Sequence, residues 1–127
     1  MNSEIDRKIA VILVADVVGY SKHMEKDENA TIKNYSACEN ILNKLLKKYR
    51  GSVFNTGGDS VLVEFPSAVN AVECGVAFQN EINERNSSIK TEVKLEFRIG
   101  INMGDVVNKD GNLIGDGVNI AARLEAL

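Results

Sequence analysis

The sequence has no surplus of positive charge. Its 15 Lys and Arg stand against 18 Asp and Glu, for a formal net charge of −3. Gripping a nucleic acid draws on clustered Lys and Arg that neutralise phosphates, so nucleic acid is excluded as a broad electrostatic partner. Any anionic ligand must be met locally, by metal ions, backbone N–H groups or single basic side chains. Cysteine is scarce too. Cys38 and Cys74 sit in apolar helical patterns without metal-ligand spacing, which reads as two buried thiols in a reducing, cytoplasmic setting. The one histidine, His23, falls among polar residues and is expected to be exposed and without a role. The N-terminus MNSEIDRK is polar, and no apolar run approaches the roughly 20 residues that span a bilayer. The chain therefore reads as soluble, with a membrane-anchored parent left open. Repeats, linkers and low-complexity segments are lacking as well.

What is present is a core. With 44% hydrophobic residues over 127 positions, the chain suits one domain over residues 1–127, with residues 1–6 as a flexible tail. The run KIAVILVA, Lys8 to Ala15, predicts a central strand buried on both faces, ending at Asp16. Ile32, Tyr35, Cys38, Ile41, Leu42, Leu45, Leu46 and Tyr49 recur at helical spacing, and Gly51 supplies a stop. Residues 52–56 and 60–65 predict a hairpin. Pro66 and Ser67 open a helix whose inner side is marked by Val69, Val72, Val76, Phe78 and Ile82, followed by a loop, ERNSSIKT. Strict alternation at Val93, Leu95, Phe97, Ile99 and Ile101 predicts a strand. Val106 and Val107 lead to a turn at Asp110–Gly111, and VNIAARLEAL forms a last helix. The order β-α-β-β-α-β-β-α implies an α+β fold, a ferredoxin-like sheet layered with helices.

Two carboxylates draw attention. Asp16 ends a strand too apolar to tolerate an unpaired charge, and VVGYS follows it. Asp59 interrupts VFNTGGDSVLVEF at a tight turn. If the first strand pairs beside the hairpin, the two converge as hard oxygen ligands suited to Mg²⁺ or Mn²⁺. The N–H groups of Val18, Gly19, Tyr20 and Ser21, entering a helix, could then cradle phosphates. The plainer readings are a helix cap for Asp16 and a turn residue for Asp59. Asn119 and Arg123, four apart, share a helix face. They suit a sugar or attacking group and a phosphate respectively, or else a solvated polar face.

The segments VADVVGYS (14–21), FNTGGDSVLVEFPSAVNAV (54–72), FRIGINMGDV (97–106) and GDGVNIAARLEAL (115–127) together resemble the catalytic domain of class III adenylate and guanylate cyclases, bacterial members above all. The resemblance implies an intramolecular reaction in which the ribose 3′-oxygen of a nucleoside triphosphate attacks the α-phosphorus, giving a cyclic monophosphate and pyrophosphate. It implies two Mg²⁺ or Mn²⁺ ions held by Asp16, Asp59 and the Val17 carbonyl, with Asn119 and Arg123 orienting the ribose and stabilising the α-phosphate. It also implies a homodimer in which each site takes its aspartates from one subunit and its Asn/Arg pair from the other. Regulatory domains in a longer parent, and a catalytic domain continuing past Leu127, are further implications. At the two positions where the family's adenylate cyclases recognise adenine with Lys and Asp, this sequence has Asn55 and Asn112. They match neither that pair nor the Glu and Cys of guanylate cyclases. ATP is expected ahead of GTP, to give cAMP.

Two other readings compete. A cyclase homology domain that lost base recognition would serve as a regulatory dimerisation module, against which stands the presence of Asp16, Asp59, Asn119 and Arg123. A diguanylate cyclase is suggested by Gly57–Gly58–Asp59, but Ser60 and Val61 follow instead of Glu-Phe.

Overall fold

In a computed structural model, residues 6–90 and 93–125 are described. The elements are β1 (Asp6–Val17), α1 (Tyr20–Lys26), α2 (Glu28–Tyr49), β2 (Ser52–Gly57), β3 (Ser60–Phe65), α3 (Ala68–Ser88), β4 (Phe97–Lys109), β5 (Asn112–Ile114) and α4 (Asp116–Glu125). The expected order holds, with one short extra helix, α1, ahead of α2. The strands form one antiparallel sheet ordered β2-β3-β1-β4-β5.

The apolar run of β1 is explained by its place in the middle of that sheet. Every residue from Ala10 to Ala15 is at most 6% exposed. Val11, Leu13, Ala15 and Val17 pack with α2 and α3 on one face, while Ala10, Ile12 and Val14 pack with Val118 and Ala121 of α4 on the other. With helices above and below, the alternation expected of a half-buried strand disappears. β1 also starts earlier than expected: Asp6, placed in the flexible tail by the sequence, pairs with Asn108. The remaining tail residues, 1–5, lie outside the described residues.

The helix α3 turns a different face inward from the one the valines suggest. Val69, Val72 and Val76 are exposed at 62%, 50% and 55%, and the buried side is Ala71, Cys74, Gly75, Phe78 and Ile82. Small residues let the helix lie close to the sheet: the Cβ position of Gly75 is 3.7 Å from methyl groups of Leu13 and Ile101. A branched side chain would hold the layers apart there, so hydrophobicity alone misassigns the face. α3 also runs on through Ser88, over most of the expected loop. Arg85 Nη2 donates to Asn34 Oδ1 at 2.9 Å, and Asn86 Nδ2 donates to the Leu95 carbonyl at 2.9 Å, so tertiary partners hold the last turns helical. Thr91 of that loop lies outside the described residues.

The strand expected from Val93 begins at Phe97; Val93 and Leu95 are buried in the segment leading to it. β4 then continues to Lys109, so Val106 belongs to the same strand. The Asp110–Gly111 turn has φ of 54° and 86°, the two left-handed residues of a tight hairpin. At the end of α2, Arg50 takes the left-handed position with φ of 66°. Gly51 is needed for space, since a Cβ there would meet Leu46 at 2.6 Å and Phe65 at 2.9 Å. Both cysteines are buried and free. His23 is half-buried, and its carbonyl accepts the Thr31 hydroxyl at 2.9 Å. Among the described residues no helix is long and apolar enough to cross a membrane.

Candidate active site

β1 carries Asp16 to the edge of the hydrophobic layer, and the β2–β3 turn brings Asp59 to the same place. The Val17 N–H donates to Asp59 Oδ2 at 2.8 Å, across 42 residues of sequence. A carboxylate that only shaped its own turn would bond locally. Asp59 instead reaches across to β1, while Gly58, with φ of 58°, takes the strained turn conformation. Asp16 is not a helix cap either: it lies within β1, and Gly19 occupies the cap position of α1 without a side-chain bond.

Beneath Asp59 lies an aromatic base. The Tyr35 hydroxyl donates weakly to the Asp59 carbonyl at 3.4 Å, and Tyr35 packs against Tyr20 and Phe97 with ring centroids 6.2 and 6.4 Å apart. Phe78 meets Phe97 edge-on at 5.0 Å. Burial, with help from the negative charges of Glu39 and Asp59, pushes the Tyr35 phenol up to about 12. It therefore stays a neutral donor at ordinary pH.

Asp16 stands directly opposite Arg98 in the β1–β4 register, so the two side chains share the face covered by α4. Arg98 Nε lies 3.3 Å from Asp16 Oδ1, and Nη2 lies 3.4 Å from Oδ2. The same Nε is 3.2 Å from Glu125 Oε1 at the end of α4. Glu125 is 8% exposed. Its carboxyl is pushed up to about 7, first by burial and then by its hydrogen bond with Asp16 and the charge of that group, with Arg98 opposing. α4 is pressed onto β4 through glycines. A Cβ on Gly100 would overlap the Ala121 carbonyl and the Glu125 nitrogen, and one on Gly117 would meet the Asp105 carbonyl at 2.6 Å.

The structure thus brings Asp16, Val17 and Asp59 together. It does not bring Asn119 and Arg123 to them: both are exposed on the outer side of α4, beside Ile120 and Leu124 at 39% and 41% exposure. Among the described residues no hydrogen bond or ion pair joins Arg123 to either aspartate. Of the expected phosphate cradle, one member is corrected. The Val18 N–H is spent on the Glu96 carbonyl at 2.8 Å, because the end of β1 keeps pairing with the chain entering β4. Gly19, Tyr20 and Ser21 turn into α1 beyond that bond, Gly19 with φ of 64°. Asn55 lies exposed on β2 just after a bulge. Asn112 is half-buried on β5, and its Oδ1 is shielded from solvent without a hydrogen-bond partner among the described residues. The sheet edges holding them approach each other, since Phe54 packs on the same cluster as Leu113.

Two carboxylates and a neighbouring backbone carbonyl make an open set of hard oxygen donors. Among the described residues no group of three or more His, Cys, Asp and Glu is arranged to hold a metal ion. Such a set fits Mg²⁺ or Mn²⁺, which take one or two carboxylates and complete their shell with water and phosphate oxygens. Sequence reasoning missed Arg98, Glu125 and Tyr35. Glu125 had a signal: it falls at the helical repeat of Val118 and Ala121, an acid in a core position.

No family model matches the chain. It is 47% identical over 124 residues to a Rhizobium meliloti protein whose name provisionally assigns it as adenylate cyclase 3, covering 97% of this chain and 21% of that one. The chain thus spans about a fifth of that relative's length. Among solved structures, an adenylate/guanylate cyclase/hydrolase from Silicibacter pomeroyi superposes with a TM-score of 0.88 at 34% identity, over 97% of this chain and 72% of that one. The guanylyl cyclase Cya2 superposes with a TM-score of 0.83 at 26% identity, over 96% of this chain and 71% of its own. With the α+β architecture shared over nearly the whole chain, these likenesses are decisive: the chain belongs to the class III adenylate/guanylate cyclase family.

Proposed function

We propose that this chain works as a nucleotidyl cyclase catalytic domain, a single domain that forms a 3′,5′-cyclic monophosphate and pyrophosphate from a nucleoside triphosphate, ATP ahead of GTP. The observation that carries the reading is the split of the chemical groups: Asp16 and Asp59 meet at the end of β1, while Asn119 and Arg123 face away on α4. A site needing all four is completed by a second copy, and exposed Ile120 and Leu124 beside the pair give that copy an apolar surface to cover. The expected assembly is a homodimer, with regulatory domains elsewhere in a longer, cytoplasmic or membrane-anchored parent.

Asp16, Asp59 and the Val17 carbonyl would hold the two divalent ions, which when bound acidify the ribose hydroxyl and neutralise the leaving pyrophosphate. Val17 fixes the Asp59 carboxylate by donating its N–H to Oδ2, and Oδ1 would then serve the metal. Asn119 of the second copy would orient the ribose, and Arg123 would place fixed positive charge where it builds up on the α-phosphate. The amides of Gly19, Tyr20 and Ser21 would receive phosphate oxygens. Asn55 and Asn112 would face the base.

The test is complementation in the full-length protein. Asp16→Ala and Arg123→Ala chains are each expected to be inactive alone. Mixed, they restore one working site per heterodimer and about a quarter of wild-type turnover in an equimolar random mixture, because half the dimers are mixed and each has one site. No recovery after demonstrated subunit exchange refutes the shared site.

A further inference from the structure

Arg98 is the one cation in contact with Asp16 among the described residues, and it is divided between two acids. It approaches both oxygens of Asp16 at 3.3 and 3.4 Å and Glu125 Oε1 at 3.2 Å. Charge-assisted hydrogen bonds are usually about 2.7–2.9 Å long, so the guanidinium is committed to neither. The Glu125 contact is within ion-pair range, yet Glu125 Oε1 is buried and, among the described residues, receives no aligned hydrogen bond. A buried carboxylate oxygen left short of a donor costs free energy, and a small shift of Arg98 toward α4 supplies one. The side chain is free to make that shift, being 43% exposed.

We propose that Arg98 is a built-in counter-ion that competes with a divalent cation for Asp16, and that Glu125 is the seat it moves to when the cation binds. The inference rests on the reading of Asp16 as a metal ligand. Without a cation, Arg98 supplies Asp16 with a counter-charge beside Asp59, alongside the hydrogen bond that Asp16 shares with Glu125. With one, Arg98 would be repelled from Asp16, and the buried Glu125 carboxylate gains a full partner. The exchange would also tie α4 more firmly to β4, and α4 is the helix that presents Asn119 and Arg123.

The experiment is calorimetric titration of Mn²⁺, without nucleotide, into wild type, Arg98→Met, Glu125→Gln and the double variant, with circular dichroism to verify folding. Arg98→Met should bind Mn²⁺ about two- to fivefold tighter, the range for losing a partly exposed ion pair. Glu125→Gln should bind more weakly than wild type. In the double variant the Glu125→Gln penalty should shrink well below its value in wild type without vanishing, because Glu125 acts mainly through Arg98 and also hydrogen-bonds Asp16 directly. Should Arg98→Met not fold, Arg98→Lys keeps the charge but cannot span both carboxylates, and it should tighten binding by a smaller factor. Unchanged or weaker Mn²⁺ binding in the folded Arg98 variant overturns the proposal, as does a full Glu125→Gln effect in the Arg98→Met background. Failure of the underlying metal reading looks different: wild type then binds no Mn²⁺, or binds it as well as Asp16→Asn does.

Discussion

Gly100 of β4 lies directly under Glu125 of α4, so close that a methyl group on Gly100 would overlap the Glu125 backbone nitrogen. The helix that carries the Asn/Arg pair is therefore seated by the absence of a side chain. Because backbone and not a flexible side chain would have to move, Gly100→Ala belongs at the upper end of overpacking costs, about 3 kcal/mol. At an unfolding entropy of about 2.1 cal/mol/K per residue, that is roughly 10 °C in Tm. Thermal unfolding by circular dichroism measures it. A Tm within about 2 °C of wild type would mean that α4 can lift off β4 at little cost.

Base selectivity should be poor. Asn55 and Asn112 offer amides, which donate and accept, where a charged pair would discriminate. A site built around specific hydrogen bonds rejects a wrong partner by factors up to about 10⁴, and an amide pocket should manage far less. Asn55→Lys with Asn112→Asp should raise the ATP-to-GTP ratio of kcat/KM in the full-length protein. Each change alone should help less, since a charge placed there without its partner is costly. A double variant with an unchanged ratio would remove both residues from the base pocket.

The two thiols should be silent in the folded chain. Burial pushes Cys74 up to about 11, and raises Cys38 against the opposing charge of Arg85. The thiolate is the nucleophile, so iodoacetamide at pH 8 should label neither cysteine in native buffer and both in urea, as read by mass spectrometry. For an acid whose folded pKa lies above its unfolded value of about 8.5, stability is unaffected below 8.5 and is lost as pH rises from there toward the folded value. The urea midpoint should fall between pH 8.5 and 10, and fall less in Cys74→Ala. Equal falls in both proteins would assign the loss to other groups.

Periodicity and punctuation made most of the fold legible. The apolar run of β1, the helical repeat of α2, the Ser67 cap and the Asp110–Gly111 turn all express short-range physics: side-chain spacing, cap bonds and allowed φ. The family was legible as well, because its motifs depend on residue type and order, and Asp16 and Asp59 could be picked out as acids where an acid needs a reason. Packing distance and pairing register lie beyond that range. α3 buries Ala71, Cys74 and Gly75 and not its valines, because closeness to the sheet outweighs hydrophobicity. The Val18 amide is taken by Glu96, a partner 78 residues away, through strand pairing that no local pattern encodes. Arg98 read as the polar side of an alternating strand, and Glu125 as one acid among eighteen acidic residues. Only the opposition of β1 with β4, and the seat of α4 on Gly100, set them against Asp16. Charge interactions fall off with distance in space, and a linear sequence does not contain that distance.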